Sequence, residues 1–232
     1  MIMIMSFYQE DTEMELKNTK EVALNGVKML VYGKAGAGKT TLISTLPNPI
    51  ILATEKGLLS LSEFELPYIE IKTLQDLYDA YEYSVKSEFE SIALDSISDI
   101  AEVILSEEKK KVKDPRQAYG AMQELVSDFI RAFRDIEGKH VFFTAKLEKT
   151  KDEMERILYA PSMPGNKIGQ ALPYFFDEVF ALRVEKDADG NNQRAMLTDS
   201  DGLWEAKDRS GKLERWEMPH LGNVIKKIIG EK

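Results

Sequence analysis

One glycine-rich stretch limits the possible folds of this chain more than any other feature. The apolar residues Met29 to Tyr32 lead into Gly33, and residues 33–40 fit the P-loop pattern of Gly, four residues and Gly-Lys-Thr. Its glycines let the backbone turn tightly and bring N–H groups close to phosphate oxygens. The helix that follows would offer its positive N-terminal end to the same anion. The predicted phosphate-binding residues are Gly33, Lys34, Ala35, Gly36, Ala37, Gly38, Lys39, Thr40 and Thr41.

Composition excludes several other classes of protein. The chain has 232 residues, 43% of them hydrophobic and 31% charged, which suits one soluble α/β domain. It has no cysteine for disulfides or thiolate metal sites, and its two histidines lie far apart. A net charge of -9 argues against nucleic-acid binding by overall basicity, although one loop could still concentrate cations. No apolar run approaches the about 18 residues of a membrane span, so we expect a cytoplasmic protein.

Four apolar runs end in polar residues, as the strands of a parallel sheet do at a ligand site. They end at Gly33, at Thr54-Glu55, at Asp95-Ser96 and at Thr144 with Lys146. Because ligands of doubly wound sheets bind at the carboxyl ends of strands, we expect these ends to meet at one edge. Thr144 and Lys146 would then contact the γ-phosphate, or they are an ordinary strand end.

The expected chemistry at that edge is nucleoside triphosphate hydrolysis with Mg²⁺. Lys39 supplies a positive charge to the outer phosphates, and Thr40 and Asp95 are the predicted metal ligands. Glu55 is the candidate general base for an attacking water, the alternative being an exposed charge at a strand end. The predicted cofactors are therefore a nucleoside triphosphate and Mg²⁺.

The remainder of the chain predicts one domain, residues 27–232, after an N-terminal arm, residues 1–26. Residues 148–167 are rich in charge and predict a long loop or a β-excursion, which in a compact domain is usually functional. The turn sequence Ala188 to Asn192 predicts a β-hairpin in the C-terminal part.

In the order of its motifs along the sequence, the chain resembles the RecA-like ATPase core. It most closely resembles the small phage RecA-like proteins of the Sak single-strand-annealing type. Five features carry this resemblance: the P-loop, Glu55 at a strand end, Ile92 to Ser96, Gly169-Gln170-Ala171-Leu172 followed by Tyr174, and Lys207-Asp208-Arg209.

The resemblance implies a RecA-like P-loop NTPase core, with a mostly parallel twisted sheet flanked by helices and a C-terminal β-hairpin extension. It implies ATP as the nucleotide and Glu55 as the catalytic glutamate. Lys207 and Arg209 resemble fingers that reach the γ-phosphate of a neighbouring subunit, although a charged turn would look the same. The segment before Gly169 occupies the place of a DNA-binding loop, with candidate DNA contacts at Lys149, Lys151, Arg156 and Lys167.

We therefore predict an ATP-hydrolysing recombination protein that binds single-stranded DNA (ssDNA) and promotes annealing as a head-to-tail oligomer. A single-strand DNA-binding protein is a further expected partner. Two alternatives remain at this point. One is a nucleotide-gated assembly or regulatory ATPase that does not bind DNA, and the other is a phosphotransferase acting on a small molecule.

Overall fold

The computed structural model of the chain describes residues 18–19, 25–54 and 57–231. Most of the predicted N-terminal arm and the predicted base Glu55 lie outside these residues, as does the side chain of Lys167.

The described strands form one sheet that is parallel over most of its width and antiparallel at one margin. They are β1 (Lys28–Gly33), β2 (Pro49–Ala53), β3 (Tyr68–Glu70), β4 (Ser91–Asp95), β5 (His140–Lys151), β6 (Ile157–Ser162), β7 (Glu178–Lys186), β8 (Asn192–Leu197), β9 (Lys207–Asp208) and β10 (Trp216–Glu217). The order is β10-β8-β7-β1-β5-β4-β2-β3, and β7 to β3 run parallel. β8 and β9 pair antiparallel with β7, β10 pairs antiparallel with β8, and β6 folds back on β5.

Helices cover both faces of this sheet. They are α1 (Lys39–Leu42), α2 (Leu74–Lys86), α3 (Ile97–Lys111), α4 (Pro115–Arg134), α5 (Asn166–Ala171) and α6 (Leu221–Ile229). Short 3₁₀ turns follow α1 and α5 and precede β3. Local sequence explains two helix starts. Thr73 and Asp76 form a capping box at α2, and Pro115 occupies the first turn of α4 after the capping residue Asp114.

Two apolar clusters lie on opposite faces of the sheet and explain the continuous hydrophobic runs. Leu30 and Phe143 face the cluster that includes α3 and α4, whereas Met29, Val31 and Phe142 face the cluster that includes α1 and α6. Because successive strand residues point to opposite faces, a strand buried on both sides must be apolar throughout. The predicted α/β class with a mostly parallel sheet is confirmed.

The charged segment 148–167 is largely a β-hairpin rather than a loop. β5 continues past the sheet edge to Lys151, and β6 pairs with its extension from Lys146 to Lys151. The predicted C-terminal hairpin is β7 with β8, whose strands pair from Ala181 with Leu197 outward to Lys186 with Asn192.

Candidate nucleotide-binding site

The P-loop lies between β1 and α1, and its glycines occupy positions that other residues would strain. Gly36 and Gly38 have φ values of 74° and 103°, which L-residues with a side chain rarely adopt. A Cβ at Gly33 would lie 2.7 Å from the Leu182 carbonyl oxygen on β7. The glycine spacing seen in the sequence therefore has a steric cause at each of the three positions.

Lys39, the first residue of α1, folds back over the loop. Its Nζ donates to the carbonyl oxygens of Gly33, at 2.9 Å, and Lys34, at 3.1 Å. Burial lowers the pKa of this ammonium, and the nearby carboxylates of Asp95 and Asp99 partly oppose that effect. A positive charge is thus held within the curve of the loop, where the sequence predicts the outer phosphates.

Thr40 and Asp95 meet as the motif spacing predicts. Thr40 Oγ1 donates to Asp95 Oδ2 at 2.6 Å, although the two residues lie 55 positions apart. The other carboxylate oxygen, Oδ1, accepts a short hydrogen bond from the buried hydroxyl of Thr144 on β5. Since β5 lies between β1 and β4, the Thr144 hydroxyl fixes the orientation of the carboxylate.

This arrangement fits Mg²⁺. The ion prefers oxygen ligands, keeps several waters and usually takes only one or two protein groups beside substrate phosphates. Thr40 Oγ1 and the Asp95 carboxylate supply such oxygens beside the P-loop. The residues that would hold the ion are therefore those predicted from the sequence.

A cleft of about 470 Å³ opens beside these groups, and it reveals a residue that the sequence reasoning missed. Asp99, at the start of α3, lines the cleft and forms an ion pair with Lys146 from the middle of β5. It also accepts a hydrogen bond from the Ser96 hydroxyl, and Ser96 caps α3. The Ser-x-x-Asp spacing at a helix start was the available signal. Lys146 thus lies in the cleft, as predicted, but with a carboxylate partner.

A second cleft, of about 320 Å³, lies on the other side of the P-loop. It is bounded by residues 34–37 of the loop and by the β7–β8 hairpin, including Arg183 and Arg194. Arg194 Nε donates to the Ala37 carbonyl oxygen at 3.1 Å. No sequence signal connects Arg194 with a loop 157 positions earlier, so this contact depends on the sheet order alone.

Lys207 and Arg209, the predicted trans-acting fingers, lie at the opposite edge of the sheet. β9 pairs with the first residues of β7, which is the amino end of the parallel strands. Lys207 Nζ donates to the carbonyl oxygens of Pro173, at 2.7 Å, and Phe176, at 2.5 Å, and burial lowers its pKa. Arg209 forms a 2.8 Å ion pair with Asp177. The structure thus does not bring these two cations to the P-loop of their own chain.

Three of the four predicted DNA contacts, Lys149, Lys151 and Arg156, belong to the β5–β6 hairpin, whereas Lys167 belongs to α5. Lys151 pairs with Glu155, and Arg156 pairs with Asp152 at 2.6 Å. Lys149 lies over the ring of Tyr159, with Nζ 5.6 Å from the centroid. The tip of the hairpin therefore carries neutralised ion pairs together with one cation on an aromatic ring.

These features define a P-loop ATPase domain, and comparison with known proteins places the chain in a family. The model of the AAA domain family matches residues 25–210, so the chain belongs to that family. Among solved structures, it is similar to a KaiC-like protein from the hyperthermophilic archaeon Pyrococcus horikoshii OT3. That similarity has 14% identity and a TM-score of 0.44, and it covers 75% of this chain and 78% of the other. No curated protein matches the chain.

The helices of the described residues include none with the length and apolar character needed to cross a membrane. The finer resemblance to Sak-type phage proteins stays a prediction, as do the roles of the individual site residues.

Proposed function

We propose that this P-loop ATPase hydrolyses ATP with Mg²⁺ in the cytoplasm and couples hydrolysis to binding and annealing of ssDNA in a head-to-tail oligomer. The observation that carries the hydrolytic part is the bonded trio of Thr40, Asp95 and Thr144 beside the Lys39 ammonium. It combines a metal-binding hydroxyl and carboxylate with a phosphate-binding charge at one edge of the sheet.

Different residues of this chain would perform separate parts of phosphoryl transfer. Lys39 would exchange its loop carbonyls for phosphate oxygens, and Thr40 and Asp95 would hold the metal, while the Thr144 hydroxyl keeps the carboxylate oriented. When bound, Mg²⁺ neutralises developing charge on the phosphates. Glu55 follows β2 by two positions, so it is our candidate for the group that orients the attacking water. Thr144 and Lys146 are the candidates for contact with the γ-phosphate side.

Assembly would bring Lys207 and Arg209 to the site of a neighbouring subunit. Both lie at the amino end of the sheet, whereas the P-loop lies at the carboxyl end. In a head-to-tail pair, the amino edge of one subunit would therefore face the carboxyl edge of its neighbour. A cation supplied in trans would then stabilise transition-state charge. To act in this way Lys207 must leave the carbonyls of Pro173 and Phe176.

ssDNA binding would use the β5–β6 hairpin, because β5 connects the nucleotide cleft at Thr144 and Lys146 directly to Lys149 and Lys151. Phosphates would have to compete with Asp152 and Glu155 for the hairpin cations. That competition favours a second candidate, an ATPase in which nucleotide controls assembly and the hairpin contacts protein rather than DNA.

ATP turnover measured with and without ssDNA, alongside oligomer size, separates the two. We expect ssDNA to raise turnover several-fold and ATP to shift the protein to larger species. The matched variant Lys149→Gln should reduce the stimulation, whereas Lys86→Gln, an exposed lysine on α2, should not. ATP-dependent assembly without ssDNA binding at low salt would establish the second candidate, and absence of turnover under all conditions would exclude both.

A further inference from the structure

The P-loop has neighbours on two sides, and the sequence motifs indicated only one of them. Asp95 and the metal-binding groups lie on the β4 side of the loop. On the β7–β8 side, Arg194 Nε donates to the Ala37 carbonyl oxygen at 3.1 Å. That carbonyl belongs to the turn that leads into α1, whose N–H groups are expected to bind phosphate.

The fold places Arg194 there through the hairpin. β7 lies beside β1, and β8 pairs antiparallel with β7 so that Arg194 lies opposite Val184. A Cβ built on Gly38 would lie 3.5 Å from Arg194 Nε, so the side chain lies directly against the loop. The Ala37–Gly38 turn, where φ reaches 103°, is thus in contact with a guanidinium.

Arg194 differs from the other arginine of the same cleft. Arg183 forms ion pairs with Glu185 and Asp201 and lies near the rings of Trp204 and Trp216. Among the described residues, the polar partner of Arg194 is a carbonyl oxygen rather than a carboxylate. Its positive charge therefore remains available beside the phosphate-binding loop.

We propose that Arg194 is a positioning residue for the nucleotide. Its hydrogen bond to Ala37 fixes the turn before α1, and its charge attracts the α- and β-phosphates from the side of the loop opposite Asp95. The γ-phosphate is assigned to the other side, because Thr40, Asp95 and Lys146 lie there. This inference rests on the proposed nucleotide binding and adds a residue that lies outside every P-loop motif.

The test is the affinity of the full chain for Mg-ATP and Mg-ADP, measured by calorimetric titration. Arg194→Gln retains a hydrogen-bond donor but loses the charge, and it should bind both nucleotides about tenfold more weakly. Arg194→Lys retains the charge and should stay within about threefold of the parent protein. The loss in Arg194→Gln should shrink as salt rises, because the charge at this exposed site is screened. Arg116→Gln, an exposed arginine at the start of α4, is the matched control and should bind normally.

The outcomes separate this inference from the proposed function. If the parent protein binds neither nucleotide, the proposed function is wrong. If it binds both and Arg194→Gln binds equally well, only the role of Arg194 is wrong. If Arg194→Gln weakens the binding of Mg-ATP but not that of Mg-ADP, Arg194 acts on the γ-phosphate. Its assignment to the α- and β-phosphates is then wrong. If Arg194→Gln does not fold, tenfold weaker binding by a folded Arg194→Lys overturns the role of the charge.

Discussion

The two edges of the parallel sheet use the same kinds of charged side chain for different purposes. At the carboxyl edge, Lys39 and Asp95 line a cleft that a ligand can enter. At the amino edge, Lys28 and Lys207 donate to backbone carbonyls of their own chain, and Glu178 is buried beside Asp208. A buried charge needs partners to offset its desolvation, and the amino edge supplies them from within the chain. Lys39 and Asp95 also have partners within the chain, but they border a cleft in which a ligand could replace those partners. We therefore expect the charges at the carboxyl edge to serve a ligand and those at the amino edge to stabilise the fold.

The largest test of this contrast is Asp95→Asn. Loss of the negative charge should reduce ATP turnover by about 10²–10³-fold, because the metal and the phosphate charge are no longer stabilised. Asparagine can keep hydrogen bonds to the Thr40 and Thr144 hydroxyls, so the free energy of unfolding should change by less than about 1.5 kcal/mol. Steady-state turnover and urea unfolding measure the two effects separately.

Asp128→Asn, an exposed change on α4, is the control and should alter neither quantity. Turnover by Asp95→Asn within threefold of the parent would show that Asp95 is not needed for the metal. A large loss of stability with normal specific activity would make Asp95 resemble the amino-edge charges, and the contrast would fail.

Lys207→Met tests the amino edge with an intermediate effect. The change removes the donor to the Pro173 and Phe176 carbonyls, so unfolding should become easier by about 1–3 kcal/mol, measured in urea. Arg209→Met removes only an exposed ion pair with Asp177 and should cost less than about 1 kcal/mol.

If Lys207→Met unfolds at the same urea concentration as the parent, the ammonium does not stabilise its own chain, and the contrast between the edges fails at this residue. If the change costs stability and also abolishes turnover only in the assembled protein, Lys207 serves both purposes. The comparison between the edges would then hold for the isolated subunit alone.

The sequence predicted the carboxyl edge well for a physical reason. Strand ends in a parallel sheet must converge, so apolar runs that end in Gly33, Asp95 and Thr144 already indicate one site. The glycine spacing and the Thr40–Asp95 contact follow from local geometry.

The amino edge and the hairpins were less predictable, since they depend on which elements become neighbours. In the sequence, Lys207 beside Asp208 and Arg209 suggests an exposed charge, and only the fold shows its carbonyl partners. Arg194 contacts Ala37 because β8 pairs with β7 in the sheet. The spacing of residues in the sequence does not predict that contact. Similarly, Lys151 and Arg156 suggested a phosphate-binding loop, but the hairpin turn pairs them with the acids that lie among them.

Glu178→Gln gives the smallest effect and tests the amino edge through pH. Burial and the neighbouring Asp208 carboxylate raise the pKa of Glu178 to about 8. The native state therefore keeps a proton that the unfolded chain releases near its ordinary pKa of 4.5. The contribution of this group to stability is complete below that value and is lost as pH rises through about 8.

We expect the free energy of unfolding of the parent protein to fall, relative to that of Glu178→Gln, by about 1 kcal/mol between pH 6 and pH 7. Glutamine resembles the protonated acid and does not titrate, so the variant should lose this part of the pH dependence. Urea unfolding at a series of pH values measures the difference.

Glu185→Gln, at an exposed position of the same strand, is the control and should keep the slope of the parent. Parallel profiles for the parent and Glu178→Gln would show that Glu178 is ionised in the native protein. An ionised Glu178 would need a cationic partner, and the proposed difference between the two edges would not hold at this residue.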